Sequence, residues 1–167
     1  MDVVDVTVYY LEMRKHGDVL IAPPRDDLSV LYAQRPSVAY YRFLYNAVGR
    51  DYHWLSRRKM SDDELAAVLQ SPGSEVHVLY VDGSPAGFAE LDFQSDDVEL
   101  VQFGLMPDFI GQGLGKWFLG QMIDRVWSTS PGRFWLHTCT LDHSTALPFY
   151  KSMGFQQYRE EQIQREL

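Results

Sequence analysis

Ile110-Gly111-Gln112-Gly113-Leu114-Gly115-Lys116 is the stretch on which the fold turns. Before it, Val98 to Leu105 is an extended run. After it, Leu114, Phe118, Met122 and Val126 advance by four, the period of one helix face, until Pro131-Gly132 stops them. A glycine turn between a strand and a helix leaves backbone N–H groups unpaired where the helix dipole favours an anion, and three glycines let phosphate oxygens approach. Two familiar phosphate loops fail on spacing. A dinucleotide G-x-G-x-x-G beginning at Gly111 needs glycine where Lys116 stands, and it belongs to a first βαβ unit. A Walker A loop ending at Gly115-Lys116 needs Ser or Thr at Trp117 and glycine at Ile110. Taken alone, the turn is also compatible with a helix entry that serves only the backbone.

Outward from the turn, Glu75 to Val81, Ala86 to Phe93 and Val98 to Leu105 read as three strands broken by Asp82-Gly83-Ser84-Pro85 and by Ser95-Asp96-Asp97, an antiparallel meander. Phe134 to Thr140 is a further strand. Ser144 to Met153 reads as a short helix ending at Gly154, and Phe155 to Ile163 as a charged edge strand. Upstream, Val6 to Leu11 is a strand and Ala22 to Asp27 a loop. Tyr41, Leu44, Tyr45 and Val48 mark one helix face within the aromatic segment 36–54, and Ser61-Asp62-Asp63-Glu64 is a capping box that starts a second helix.

Composition bounds the function. The chain has 167 residues, enough for a single domain over 1–167, and 46% of them are apolar. The net charge of −8 disfavours binding that rests on nucleic-acid phosphates or an anionic membrane. No apolar run approaches the roughly eighteen residues of a membrane helix, and no signal peptide opens the chain, so a cytoplasmic protein is expected. Cys139 is the single cysteine, which excludes an internal disulfide and a multi-cysteine metal site; no metal is expected. It reads as a small buried strand residue, not a nucleophile.

The sequence resembles the GNAT superfamily of acetyl-CoA-dependent N-acetyltransferases. The family's loop, Q/R-x-x-G-x-G/A, is matched at Gly113 and Gly115, with Ile110 where Gln or Arg is usual. The family signature N-x-x-A-x-x-x-Y-x-x-x-G-F is matched by Ala146, Tyr150, Gly154 and Phe155, with His143 where Asn is usual. The resemblance covers about residues 74–158 and implies an α/β (α+β) GNAT fold: a mixed, mostly antiparallel sheet of six to seven strands flanked by about four helices.

It also implies roles. Acetyl-CoA would be the cosubstrate and a primary amine the acceptor, on a small molecule, a peptide N-terminus or a lysine, by direct transfer in a ternary complex. A catalytically silent acyl-CoA-binding or interaction module is the alternative. Gly111, Gln112, Gly113, Leu114, Gly115 and Lys116 would hold the diphosphate. Phe103, Gly104 and Leu105 would lie along the pantetheine arm, a backbone N–H near Leu105 would face the thioester oxygen, and Gly104 would leave room for it. Tyr150 would protonate the departing thiolate. For the base, strand alternation puts Glu99, Val101, Phe103 and Leu105 on one face, so that apolar neighbours raise the Glu99 pKa, while His137 is the competing candidate. His143 would lie at the cofactor, either paired with Asp142 or capping its loop. The aromatic segment, with His53, Arg57 and Arg58, would flank the acceptor; aromatic faces suit an ammonium and the arginines a carboxylate. No nucleic acid or membrane partner is expected, and a homodimer is an open assembly.

Overall fold

The computed structural model describes residues 2–17 and 20–167. Seven strands and four helices follow in the order β1 (Val3–Met13), β2 (Leu28–Ala33), α1 (Val38–Gly49), α2 (Asp62–Gln70), β3 (Ser74–Val81), β4 (Ser84–Asp92), β5 (Asp97–Leu105), α3 (Leu114–Trp127), β6 (Arg133–Cys139), α4 (Ala146–Ser152) and β7 (Gln156–Glu166). The strands form one sheet in the order β2-β3-β4-β5-β6-β1-β7. Every neighbouring pair is antiparallel except β5 and β6, which run parallel.

The expected meander is present, and its β3–β4 turn is made by Asp82 and Gly83, both at positive φ (48° and 80°), the geometry whose twist suits a two-residue hairpin. Ser61 caps α2 by accepting from the Glu64 N–H at 3.2 Å, with Asp62, Asp63 and Glu64 in the first turn. Ser37 caps α1 in the same way, and Tyr41, Leu44, Tyr45 and Val48 are all buried. These four pack with Leu65, Leu69, Val76, Val78 and Phe88 on one face of the sheet. Leu114, Phe118, Met122 and Val126 of α3 pack with Leu11, Leu79, Leu91, Leu100 and Phe134 on the other. Helices thus cover both faces.

Two features differ from the sequence reading. Leu28–Ala33, read there as no element, is β2, an edge strand on β3. Its alternation is broken because Leu31 and Tyr32 are both exposed. The supposed common face of Glu99, Val101, Phe103 and Leu105 is also wrong. Glu90 faces Gln102 and Leu91 faces Leu100, so Val101 is the extra residue of a β-bulge, and a bulge reverses the parity of the residues after it. Val98, Leu100, Phe103 and Leu105 therefore face α3, while Glu99 and Gly104 face the α1 side.

Candidate active site

The glycine turn is built for close backbone approach. Gly111 and Gly113 have φ of 83° and 77°, which side-chain-bearing residues rarely adopt, and Gly113 is the N-cap of α3 without any side-chain cap. The first-turn N–H groups of α3 are therefore open to a ligand. A Cβ on Gly111 would meet nothing within 4 Å, and one on Gly113 would meet Pro24 at 3.8 Å. Gly115 differs: it is helical, and a Cβ there would make ordinary contact with Phe149 and Leu105 at 3.7 and 3.8 Å. Gln112 braces the turn, its Nε2 donating to the Asp108 carbonyl at 3.1 Å and its Oε1 accepting from Arg25 Nη1 at 3.4 Å. Lys116 is exposed, as is Ile110. Arg25, held by Asp27, is thus a second cation at the turn; it lies in the segment read as loop, where no motif marks it.

Beside the turn the sheet opens. The β5–β6 ladder comprises three pairs, Asp97 with Arg133, Val98 with Phe134 and Glu99 with Trp135. Beyond these β5 stays with β4 and β6 with β1, so the two strands part. The Met106 N–H donates to the Ala86 carbonyl at 2.8 Å. Backbone alternation then turns the N–H and C=O of Leu105 and Phe103 to the opposite edge, toward the gap. This edge fits an extended amide-bearing arm and a carbonyl oxygen at Leu105 N–H. Gly104 does not serve that approach. A Cβ there would overlap Val48 Cγ1 and meet the Trp54 indole at 3.6 Å, so glycine is needed for α1 and Trp54 to close on β5.

Glu99 and His137, the rival bases, are brought together at the point where the strands part, with His137 Nε2 3.9 Å from Glu99 Oε2. Glu99 lines a cleft of about 280 Å³ with Asp92, Gln94, Asp97, Arg133 and Trp135. Burial, reinforced by the Asp92 and Glu90 carboxylates and opposed by Arg57, pushes the Glu99 pKa up to about 7. The expected elevation is present, with two acidic neighbours adding to burial. Burial lowers the His137 pKa, which outweighs the upward pull of Asp142. Tyr150 packs between Phe103, Phe149 and Phe155, and burial followed by the Asp142 charge raises its pKa. It is a phenol kept protonated at neutral pH.

The loop after β6 is organised by Asp142, not by an Asp142–His143 pair. Asp142 Oδ2 accepts from the Thr138 hydroxyl and the Cys139 N–H, and Oδ1 accepts from Trp54 Nε1 at 3.4 Å. His143 Nδ1 accepts from the Thr145 N–H at 3.1 Å, the loop-capping alternative. The arginines are also committed elsewhere. Arg57 Nη2 donates to the buried Glu90 at 2.6 Å, a carboxylate that the Tyr41 hydroxyl also grips, and Arg58 Nε donates to Asn46. Cys139 is half-buried. A larger cavity, about 490 Å³, is bordered by Met13, Ile123 and Met153 and includes none of the predicted site residues.

A family model described as "Acetyltransferase (GNAT) family" matches residues 28–155. The chain belongs to the GNAT acetyltransferase family. The match leaves out β1 and β7, the two strands that extend the sheet beyond β6. No curated protein matches the sequence significantly. Among solved structures, a GCN5-related N-acetyltransferase from Sphaerobacter thermophilus superposes with a TM-score of 0.73 at 10% identity, covering 95% of this chain and 50% of that one. The ribosomal-protein-S18-alanine N-acetyltransferase from Escherichia coli gives 0.64 at 20% identity, covering 79% of each chain. A tandem GNAT protein from the clavulanic acid biosynthesis pathway gives 0.68 at 14% identity, covering 98% of this chain and 53% of that one. At such identities the likeness is one of fold, and the chain spans about half the length of the first and third. No helix among the described residues is long and apolar enough to cross a membrane.

Proposed function

We propose that this GNAT domain, folding as one unit over 1–167, transfers an acetyl group from acetyl-CoA to a primary amine on a small molecule, a peptide N-terminus or a lysine. One observation carries the reading. A carboxyl group with a pKa near 7, Glu99, stands where β5 and β6 diverge, and the unpaired edge of β5 leads from there to an uncapped glycine turn. Acetyl-CoA supplies the activated acyl group; the chain's residues bind, orient and move protons. Backbone N–H groups from Gly111 to Lys116 would bind the diphosphate, with the Arg25 and Lys116 cations beside it. Leu105 N–H would polarise the thioester carbonyl.

Glu99, half ionised near pH 7, takes a proton through bridging water from the acceptor ammonium, because Leu105 lies six residues along β5 from it, and leaves the amine nucleophilic. His137, whose lowered pKa keeps it neutral, is a positioning partner for that carboxyl group. The amine nitrogen bonds to the thioester carbon, the C–S bond breaks as Tyr150 donates its phenolic proton to the departing thiolate, and the proton the nitrogen loses on becoming an amide restores the phenol. Amine and thioester must then be bound together, which makes the reaction a direct transfer without an acyl-enzyme. Thermal-shift measurements with acetyl-CoA, CoA, ATP and NAD, followed by thiol release over an amine panel, test the reading. Stabilisation by the CoA compounds alone and amine-dependent thiol release are expected. Binding without release on any amine would favour the silent module.

A further inference from the structure

Trp54 is the side chain that spans the opening between β5 and the end of β6. It comes from the segment joining α1 to α2. Its ring carbon Cη2 lies against Gly104 of β5, and its Nε1 donates to Asp142, which is itself fastened to Thr138 and Cys139. The indole has little freedom. A Cβ on Gly49 would overlap it, so this glycine is required for the ring to lie where it does. Phe88 packs edge-on against it, with ring centres 6.2 Å apart, and Tyr45 packs at 5.3 Å. The ring therefore bridges the two walls of the splay on the α1 side, at the level of the Leu105 N–H that faces the gap. An aromatic core needs packing on one wall. A bridge to the other wall limits what fits between them.

We propose that the Trp54 indole, seated on Gly49 and Gly104 and hydrogen-bonded to Asp142, closes the wide end of the β5–β6 splay and restricts the acyl donor to acetyl-sized thioesters. The inference rests on the acetyl-transfer reading and specifies the donor class of that site. An acetyl group at Leu105 N–H adds a single methyl beyond the carbonyl. Each further methylene must push against a ring that two aromatic neighbours and a hydrogen bond hold in place. A mismatch of one methylene in an apolar site changes selectivity by roughly 10- to 200-fold. Truncating the ring should release that constraint.

The test is calorimetric titration of CoA, acetyl-CoA and butyryl-CoA into the wild-type chain and W54A, with thiol release in the presence of a primary amine as a second readout. Wild type should bind acetyl-CoA at least tenfold more tightly than butyryl-CoA, and W54A should bring the two within about threefold while still binding CoA. W54L, which keeps an apolar filler, carries the comparison if W54A does not unfold cooperatively. Equal binding of the two thioesters by wild type, or unchanged discrimination in the variants, overturns the role of Trp54 and leaves acetyl transfer standing. No binding of any CoA compound by folded wild type overturns both.

Discussion

Replacing Glu99 by Gln keeps the side chain's shape and removes its charge, and the consequences differ below and above neutrality. The carboxyl moves from an ordinary 4.5 to about 7 in the fold, first through burial and then through Asp92 and Glu90. At 1.36 kcal/mol per pH unit that displacement is worth about 3 kcal/mol, a ceiling because the side chain keeps 22% of its exposure. The folded pKa exceeds the unfolded one, so Glu99's contribution to stability is fully present below about pH 4.5 and is lost as pH rises through 7. Wild type and E99Q should thus show similar relative stability at pH 4. At pH 8 the variant should gain up to about 3 kcal/mol, or roughly 6 to 12 °C in Tm by scanning calorimetry for a chain of this size. Catalysis should move the other way: the acid limb of kcat/KM, centred near pH 7, should vanish in E99Q with a loss on the order of 10²- to 10⁴-fold. H137N should retain that limb. A pH-independent Tm difference, or an acid limb that survives in E99Q and disappears in H137N, would refute the assignment.

Gly113→Val forces a β-branched residue into a left-handed cap and should weaken CoA binding at least about tenfold in a cooperatively folded protein, as measured by calorimetry. Tyr150→Phe should lower kcat by about 10²-fold or more while leaving acetyl-CoA affinity near normal, because the lost proton acts only on the departing thiolate. Glu75 supplies an independent check on acid stability: burial opposes its ionisation, but hydrogen bonds from His77 and Arg125 hold its pKa down to about 2. Its contribution is present above pH 4.5 and fades as pH falls toward 2, about 3 kcal/mol at most, so the acid-induced loss of stability should be shallower in E75Q than in wild type.

The parts of this molecule that were legible in its sequence are those fixed by local chemistry. Ser61 and Glu64 announce a helix start, Asp82-Gly83 a hairpin, and Leu114 to Val126 a helix face, because each depends on neighbours a few residues away. The glycine turn and the Tyr150 signature were legible as motifs. What escaped depends on register and on distant partners. A single extra residue at Val101 reverses which face the rest of β5 presents, and no composition signal marks it. Gly104 carries the same letter whether it makes way for a ligand or for Val48 and Trp54. Arg57 looks free in the sequence, yet Glu90, thirty-three positions away, claims it. The pairing of Glu99 with His137 likewise exists only because β5 and β6 run parallel for three residues before parting.

The most direct test of acetyl transfer is mass-spectrometric detection of acetylated product alongside thiol release, with acetyl-CoA and a panel of small-molecule, peptide N-terminal and lysine amines. A site built on Glu99, Tyr150 and the glycine turn predicts product and free CoA in equal amounts for at least one class of amine, with both formed about 10²-fold or more slowly, and still in equal amounts, in E99Q and in Tyr150→Phe. Saturable CoA binding with no acetylated product from any amine would contradict it.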